Sequence, residues 1–264
     1  KSTPDRPIWN IEKILQGEKS KWNYIDGCMI KAILEMYAIT NEEKYLQFAD
    51  AFIDCKVDGD GNIDGYDVNE LNIDNVNAGK TLFELYDLTG KEKYRKAIDL
   101  IYSQIEQMPR TKEGNFWHKN IYPDQVWRDG LYMCQPFYME YETRFHDKAG
   151  YEDIYSQFFN VVEHMRDQRT GLYYHAYDSS RKMFWCDKVT GLSSHFWLRA
   201  LGWFSMALLD TLDKADPSVS EPYGRLKKVF VELMDAMLAY QDESGMWYQV
   251  VNLGGMAKNY QETS

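Results

Sequence analysis

The sequence predicts an all-α fold in which helical hairpins follow one another and close into a ring. Two observations support it: a helical repeat, and an alternation of helices that are apolar on nearly all sides with helices that carry a single apolar stripe. The connecting loops are also longer than those of a regular solenoid. Because no linker divides the 264 residues, we expect a single domain over residues 1–264.

The repeat is a turn, a tyrosine and then a helical apolar stripe. It occurs at Tyr45, Tyr94, Tyr151 and Tyr223. After Tyr94, the residues Ala97, Ile98 and Ile101 have helical spacing. We therefore expect four outer helices that begin near these tyrosines.

A more apolar helix precedes each outer helix, and its small residues, such as Gly27 and Ala200, lie on several sides. A helix that is apolar nearly all round is enclosed by protein. The predicted inner helices are Trp22–Ile39, Asn75–Leu88, Asp129–Phe145 and Phe196–Leu212. We also expect Asn259–Ser264 to begin a fifth inner helix.

Three connecting segments, residues 57–73, 108–128 and 170–195, are long and rich in Trp, Tyr, His and Asp. Loops of this length in a compact domain are usually functional. Each leads into an inner helix, so we expect the N-terminal ends of these helices to face one pocket. Matching loops close the units at Gly114–Trp117, Gly171–Tyr174 and Gly245–Tyr248.

Composition excludes several classes of partner. The net charge of −11 argues against a nucleic-acid surface, and no apolar stretch is long enough for a membrane span. The four cysteines lack metal-site spacing. The N-terminal residues hold no secretory signal, so we expect a cytoplasmic location, with the periplasm as the alternative. Aromatic residues make up 15%, and many lie in loops, where flat rings beside polar groups suit sugar binding.

An aspartate recurs near the start of three inner helices, as Asp26, Asp74 and Asp129. Such residues often cap backbone N–H groups, and for Asp74 this alternative stays open. Asp129 has more unusual neighbours in the run Trp127–Phe137, which packs aromatic residues around one carboxylate. Burial would raise its pKa and suit proton donation, whereas the helix N-terminus would lower it, so the balance is left open. A negative charge on Asp74 would help Asp129 to keep its proton.

Histidines and an arginine complete the candidate set. His118 and His175 follow aromatic pairs at matching loop positions, so we expect both to line the pocket. Trp197 and Arg199 lie near the start of the last inner helix, and Arg199 has apolar neighbours. We expect Arg199 to be buried and to pair with a carboxylate, either of the protein or of a ligand.

The sequence resembles glycoside hydrolase family 105, the unsaturated rhamnogalacturonyl hydrolases, from Trp22 to Gln261. Its most specific segments are Ile121–Met133, Gly171–His175 and Thr190–Trp203. The resemblance implies an (α/α)6 barrel, a toroid of six helical hairpins. About four of these hairpins are present here, so we expect the barrel to be incomplete.

The resemblance also implies a reaction. The substrate would be a small unsaturated oligosaccharide, such as a disaccharide from pectin, and Asp129 would be the general acid/base that protonates and hydrates its 4,5 double bond. The implied substrate-binding residues are Asp74, His118, His175, Trp197, Arg199 and Trp203. No metal or organic cofactor is required, and neither nucleic acid nor a membrane is an implied partner.

Three alternatives stay open at this point. A related enzyme would act on other lyase products, such as glycosaminoglycan or ulvan fragments. A conventional inverting hydrolase would use two carboxylates roughly 6.5–9.5 Å apart. A catalytically silent sugar-binding module would bind the sugar without turnover.

Overall fold

A computed structural model describes residues 2–18 and 21–262. Helices dominate this part of the chain, and its strands are only two or three residues long. The chain divides into two compact units, Lys1–Gln107 and Met108–Ser264.

The first unit consists of two helical hairpins preceded by a short N-terminal segment. Its α-helices are α1 (Ile11–Leu15), α2 (Tyr24–Thr40), α3 (Glu43–Asp54), α4 (Lys80–Thr89) and α5 (Glu92–Gln107). Short 3-10 helices cover Ile8–Asn10, Val68–Glu70 and Ile73–Gly79. Helix α2 packs on α3, and α4 packs on α5, so consecutive helices form the hairpins that the sequence predicts.

The segment Ile73–Gly79 lies tightly against the start of α2. A Cβ atom at Gly27 would lie 2.7 Å from the backbone of Ala78, so only glycine fits at this contact. The indole N–H of Trp22 donates to the carbonyl of Asn75 at 2.8 Å. The predicted inner helix Asn75–Leu88 therefore begins as a 3-10 helix and becomes α-helical at Lys80. Within this segment the side-chain amide of Asn77 donates to the Tyr24 carbonyl of α2 at 2.9 Å, which ties the segment to that helix.

The second unit contains two further hairpins and short strands. Its helices are α6 (Arg128–Phe145), α7 (Tyr151–Met165), α8 (Leu198–Lys214) and α9 (Ser220–Leu238). Its strands are β1 (Gln125–Trp127), β2 (Ala176–Asp178), β3 (Trp247–Tyr248) and β4 (Gln261–Glu262). The pairs β1–β2 and β3–β4 are antiparallel.

The alternation of enclosed and one-sided helices is present in this unit. Helix α6 is buried along most of its length and packs extensively on α8, as the inner-helix prediction requires. Helices α7 and α9 each bury a single face. The ring of Phe204 in α8 is fully buried, with its centroid 4.8 Å from that of Tyr173 and 6.4 Å from that of Phe158. No helix within the described residues combines the length and apolarity needed to cross a membrane.

Two of the repeated tyrosines, Tyr94 and Tyr151, fasten their outer helices to neighbouring segments. The hydroxyl of Tyr94 donates to the Asp50 carboxylate at 2.6 Å. The hydroxyl of Tyr151 lies 2.6 Å from the Thr143 hydroxyl and accepts the Asp216 backbone N–H at 2.7 Å. At these two positions the tyrosine has a packing role, because it joins separate helices and loops of one unit.

The matching loops also share one backbone conformation. Gly114, Gly171 and Gly245 have φ values of +97°, +73° and +81°, which glycine adopts without strain. The sequence pattern of a glycine followed by aromatic residues thus marks the same turn three times.

The predicted fifth inner helix is wrong for the residues that the structure describes. Gln261–Glu262 form strand β4, which pairs with β3, and the N–H of Gln249 donates to the Tyr260 carbonyl at 2.9 Å. Backbone pairing to a neighbouring loop replaces the expected helical turn. Residues 263 and 264 lie outside the described residues.

Leu226→Ala should lower the free energy of unfolding by about 2–5 kcal/mol, because it leaves a cavity beneath a fully buried side chain of α9. Leu238→Ala, in the same helix but at a side chain that is 60% exposed, should change it by no more than about 0.5 kcal/mol. Urea unfolding followed by circular dichroism measures both. Equal effects would contradict the one-sided burial of α9.

Candidate active site

Asp129 and His175 are brought together by the pairing of β1 with β2. Trp127, the last residue of β1, lies opposite Ala176, the first residue of β2. The backbone N–H of Arg128 donates to the carbonyl of His175 at 3.3 Å, which extends the contact by one residue. The two side chains are thus neighbours although they are 46 residues apart in the sequence.

The two side chains form a hydrogen-bonded pair. The Nε2 atom of His175 lies 3.0 Å from the Oδ2 atom of Asp129. Their side chains are 19% and 16% exposed, respectively. Asp129 also lies in the first turn of α6, where free backbone N–H groups favour a negative charge. The pair is therefore shielded from bulk water and still open to a small ligand.

The surroundings lower the pKa of Asp129. Burial acts to raise this pKa, but the hydrogen bond to His175 opposes it, and so do the electrostatic contributions of His175, His118 and Arg128. The net pKa lies below the ordinary value of 3.8. The sequence leaves this balance open, and the structure resolves it in favour of a carboxylate in the free protein.

Trp127 is the centre of an aromatic cluster beside this pair. Its ring stacks on His118 with a centroid distance of 5.5 Å and on Tyr122 at 5.8 Å. It meets His175 edge-on at 5.0 Å. His118 is only 5% exposed, so its contact with Trp127 places it behind that ring.

A cavity of about 350 Å³ opens next to the pair within the second unit. Its aromatic lining consists of Trp127, His175, Trp185, His195 and Trp197. Ser193, Ser194, Ala176 and Val250 complete the wall. Indole and imidazole rings next to hydroxyl groups match a ligand that has both an apolar face and polar edges.

Of the residues that the sequence predicts for the pocket, His175 and Trp197 line this cavity. Trp127, Trp185 and His195 line it too, although they are absent from the predicted set. The aromatic pair Phe184-Trp185 in a long predicted loop is the sequence signal for Trp185. His195 directly precedes the predicted Trp197 segment but shows no pattern of its own.

The expectation that Arg199 is buried is wrong. Its side chain is exposed, and its guanidinium carbon lies 4.1 Å from the ring centroid of Trp197. Among the residues that the structure describes, Arg199 forms no ion pair. Its apolar neighbours Leu198 and Ala200 point into the core, whereas Arg199 points away from it, as helical geometry allows.

The buried arginine is Arg128 instead. Its side chain is 0% exposed, and none of its three guanidinium nitrogens has a hydrogen-bond partner among the described residues. Burial lowers its pKa to about 9. A positive charge therefore lies inside the protein next to Asp129 in the chain, where it contributes to the low pKa of that carboxyl.

Trp203 packs against helix α6. Its ring stacks on Tyr132 of α6 with a centroid distance of 4.7 Å. It is not among the described residues that line the cavity beside His175. Its assignment to substrate binding stays a prediction.

Asp74 and Asp26 both belong to the first unit. Asn72, rather than Asp74, caps the 3-10 helix there, because its Oδ1 atom accepts the Asp74 N–H at 3.1 Å. Asp26 is fully buried and accepts hydrogen bonds from Trp9 and Asn10, both at 2.9 Å, which gives it a structural role. A role for Asp74 beside Asp129 stays a prediction.

Within residues 2–18 and 21–262, no three His, Cys, Asp or Glu side chains are arranged so that they could hold a metal ion.

Comparison with known families identifies the chain. The model of the family described as Glycosyl Hydrolase Family 88 matches residues 7–264. The chain belongs to glycosyl hydrolase family 88. The predicted resemblance to family 105 is confirmed as well by a solved family 105 structure, as described below.

One curated relative of this family 88 chain is the unsaturated rhamnogalacturonyl hydrolase YesR of Bacillus subtilis. It is 27% identical over 240 residues, which cover 88% of this chain. The chain spans 64% of the length of that relative.

Solved structures confirm the fold class. A family 105 glycoside hydrolase from C. acetobutylicum ATCC 824 superimposes with a TM-score of 0.89 and 43% identity, covering 95% of this chain and 70% of the other. The unsaturated glucuronyl hydrolase of Bacillus sp. GL1, responsible for glycosaminoglycan degradation, is 12% identical with a TM-score of 0.67, covering 91% of this chain and 63% of its own. The family 88 chain thus shares the helical-barrel fold of these hydrolases.

His175→Ala should raise the pKa of Asp129, because it removes the hydrogen bond that holds this carboxyl ionised. A lowered folded pKa stabilises the protein at pH values above 3.8, and this stability is lost as the pH falls through the folded pKa. The variant should therefore be less stable above pH 3.8. Carboxyl ¹³C titration by NMR, with Asp129→Asn to identify the signal, measures the pKa.

The control is His164→Ala, which removes a histidine that stacks on Tyr177 at 5.3 Å. It should leave the titration of Asp129 unchanged. An unchanged or lower pKa in His175→Ala would contradict the assigned role of the hydrogen bond.

Proposed function

We propose that this family 88 chain releases a 4,5-unsaturated uronic acid from short rhamnogalacturonan oligosaccharides derived from pectin. The observation that carries the proposal is the hydrogen-bonded pair of Asp129 and His175 beside an aromatic cavity. The similarity to YesR, named as an unsaturated rhamnogalacturonyl hydrolase, supports the choice of substrate.

The proposed chemistry is hydration of an enol ether. Asp129 transfers a proton to C4 of the unsaturated sugar, which leaves a cation at C5 that the ring oxygen stabilises. The ionised Asp129 then takes a proton from water as that water attacks C5. The resulting hemiketal opens and releases the neighbouring sugar, so one water molecule is consumed and the acid is regenerated.

The low pKa of Asp129 sets a requirement for this mechanism, because the first step needs the protonated acid. A substrate carboxylate that binds nearby would add a negative charge and displace water, and both effects raise the pKa of an aspartic acid. Substrate binding would therefore protonate the group that must react. His175, at 3.0 Å, is placed to exchange that proton with Asp129.

The aromatic side chains would hold the sugar by its apolar face. Trp127, Trp185 and Trp197 line the cavity, and Ser193 and Ser194 offer hydroxyl groups at its edge. His118, packed behind Trp127, would keep that ring in place. Asp74 would orient water or a hydroxyl, and Trp203 would contribute a second stacking surface, as the family resemblance implies.

We assign to Arg199 the role of binding the substrate carboxylate. Its guanidinium rests on Trp197, which in turn lies edge-on to His175 with centroids 4.9 Å apart. A planar guanidinium can bind a carboxylate through two parallel hydrogen bonds. Because Arg199 forms no ion pair among the described residues, it would not have to break one to bind the substrate.

Lyase-generated unsaturated disaccharides test the function as a whole. Loss of the ultraviolet absorbance of the double bond supports hydration, and a preference for the rhamnogalacturonan product over glycosaminoglycan and ulvan products supports the substrate class. A preference for either of the latter would replace that class. Binding without loss of absorbance would identify a sugar-binding module and refute the enzyme proposal.

Asp129→Asn should abolish turnover, because an amide cannot donate the proton, and it should preserve the fold. Loss of absorbance over time measures turnover, and circular dichroism monitors folding. Asp213→Asn is the matched control, since that side chain on α8 is 74% exposed, and it should keep wild-type turnover. An active Asp129→Asn variant would exclude this residue as the proton donor.

Arg199→Gln should raise KM about 10- to 100-fold and change kcat less, since it removes charge-assisted hydrogen bonds to the substrate. Arg199→Lys should recover part of the loss because it restores the charge. Arg225→Gln is a close control. Arg225 lies on α9, and its guanidinium carbon is likewise 4.1 Å from the centroid of an aromatic ring, that of Phe159. Steady-state kinetics measures all three, and an equal effect of both glutamine variants would reject the assignment.

A further inference from the structure

A second cavity of about 510 Å³ lies next to the one described above. The two cavities share Trp185, Ser193 and Ser194 in their walls. The second one adds Tyr174 and Phe184 as aromatic lining and Thr190 as a further hydroxyl. A ligand that extends from the first cavity past Trp185 therefore enters the second.

The loop that carries Phe184 and Trp185 is held in place by its own hydrogen bonds. The Asp178 carboxylate, which is fully buried, accepts the backbone N–H groups of Ser180 at 2.9 Å and Met183 at 2.7 Å. At the other end of the loop, the N–H of Asp187 donates to the Leu192 carbonyl at 2.9 Å. The aromatic pair is thus presented by an ordered turn rather than by a loose segment.

Phe184 is 90% exposed on this ordered loop. An exposed phenyl ring forgoes the stabilisation that burial would provide, and its face is free to contact another apolar surface. The face of a sugar ring is such a surface, and the nearby hydroxyls of Thr190, Ser193 and Ser194 can bond to sugar hydroxyls.

The charge of the second cavity favours a neutral sugar. Of the described residues that line it, none is a lysine or arginine, and Asp187 is acidic. A uronic acid placed there would meet the like charge of Asp187 and no cation among the described residues that line the cavity. The first cavity differs, because Arg199 lies against Trp197 in its wall.

We propose that Tyr174, Phe184 and Trp185 form an outer subsite for an uncharged sugar ring attached to the leaving sugar. This inference rests on the proposed function, since it assumes that the unsaturated uronic acid reacts beside Asp129. It extends that function by making an unsaturated trisaccharide with a neutral third sugar a better substrate than the disaccharide. The third sugar would be a branch on the leaving sugar, because the backbone of rhamnogalacturonan alternates a uronic acid with rhamnose and its next unit is therefore charged.

The experiment compares four substrates: an unsaturated disaccharide, two forms of the same molecule extended by a neutral hexose, and the same molecule extended by a uronic acid. Separate arms carry the hexose as a chain extension and as a branch. The wild-type protein should have a kcat/KM about tenfold higher for at least one hexose-extended substrate than for the disaccharide, which is the effect of one aromatic stacking contact. The uronic acid extension should give no such gain.

Phe184→Ala should remove most of the preference for the hexose-extended substrate. Val189→Ala is the matched control, because Val189 is a 76% exposed apolar residue of the same loop that lines neither cavity, and it should keep the preference. Equal kcat/KM for the disaccharide and both hexose-extended substrates in the wild type would overturn the subsite. A preference that survives Phe184→Ala would overturn it too.

Turnover of the disaccharide tests the proposed function separately. If no substrate is hydrated, the proposed function is wrong. Calorimetric titration with the hexose-extended trisaccharide then tests whether the subsite binds a sugar. Binding that Phe184→Ala weakens and Val189→Ala does not would support it. No binding, or binding that Phe184→Ala leaves unchanged, would overturn it.

Discussion

The antiparallel contact between β1 and β2 is the constraint on which the candidate site depends. It joins the end of the loop before α6 to a strand within the connection between α7 and α8, and it sets Asp129 against His175, 46 residues away in the chain. The same pairing fixes Trp127 between the imidazoles of His118 and His175. A slip of one residue would turn alternate side chains to the opposite face and separate the pair.

The electrostatics of the site follow from this placement. Asp129 receives a hydrogen bond from His175, lies at a helix N-terminus and is preceded by Arg128, whose guanidinium is buried without a hydrogen-bond partner among the described residues. Each of these features favours the carboxylate over the acid. The resting state is therefore the ionised one. The proposed reaction needs the protonated acid, so it requires the negatively charged substrate to raise the pKa of Asp129 when it binds. Such an arrangement would confine acid catalysis to ligands that carry a carboxylate.

The aromatic residues divide between two purposes. Phe204, Phe158 and Tyr173 are buried and hold the helices of the second unit together. Trp127, Trp185 and Trp197 line a cavity instead. This difference explains why the aromatic content by itself indicated sugar binding only in general terms. The count of rings is a property of the composition, whereas their accessibility depends on which loop carries them.

Local pattern determined most of the helical architecture. The boundaries of α6 and α8 differ from the predicted ones by only one or two residues, because helical spacing of apolar residues is a property of neighbouring positions. The three glycine turns were visible for the same reason, since glycine adopts their positive φ without strain. Repeat position and family resemblance together predicted Asp129, His175 and Trp197 as site residues. In the structure His175 and Trp197 line the cavity, and Asp129 is hydrogen-bonded to His175.

Only the tertiary structure decided which side chains are buried and which are paired across distant loops. Arg199 was expected inside the protein and lies outside, while Arg128 is the buried one. The contributions of Trp185 and His195 to the cavity were likewise not predicted, and Gln261–Glu262 form a strand where a helix was expected. Sequence determines the local conformation of each segment, but burial and long-range pairing depend on segments that are far apart in the chain, and no local pattern records them.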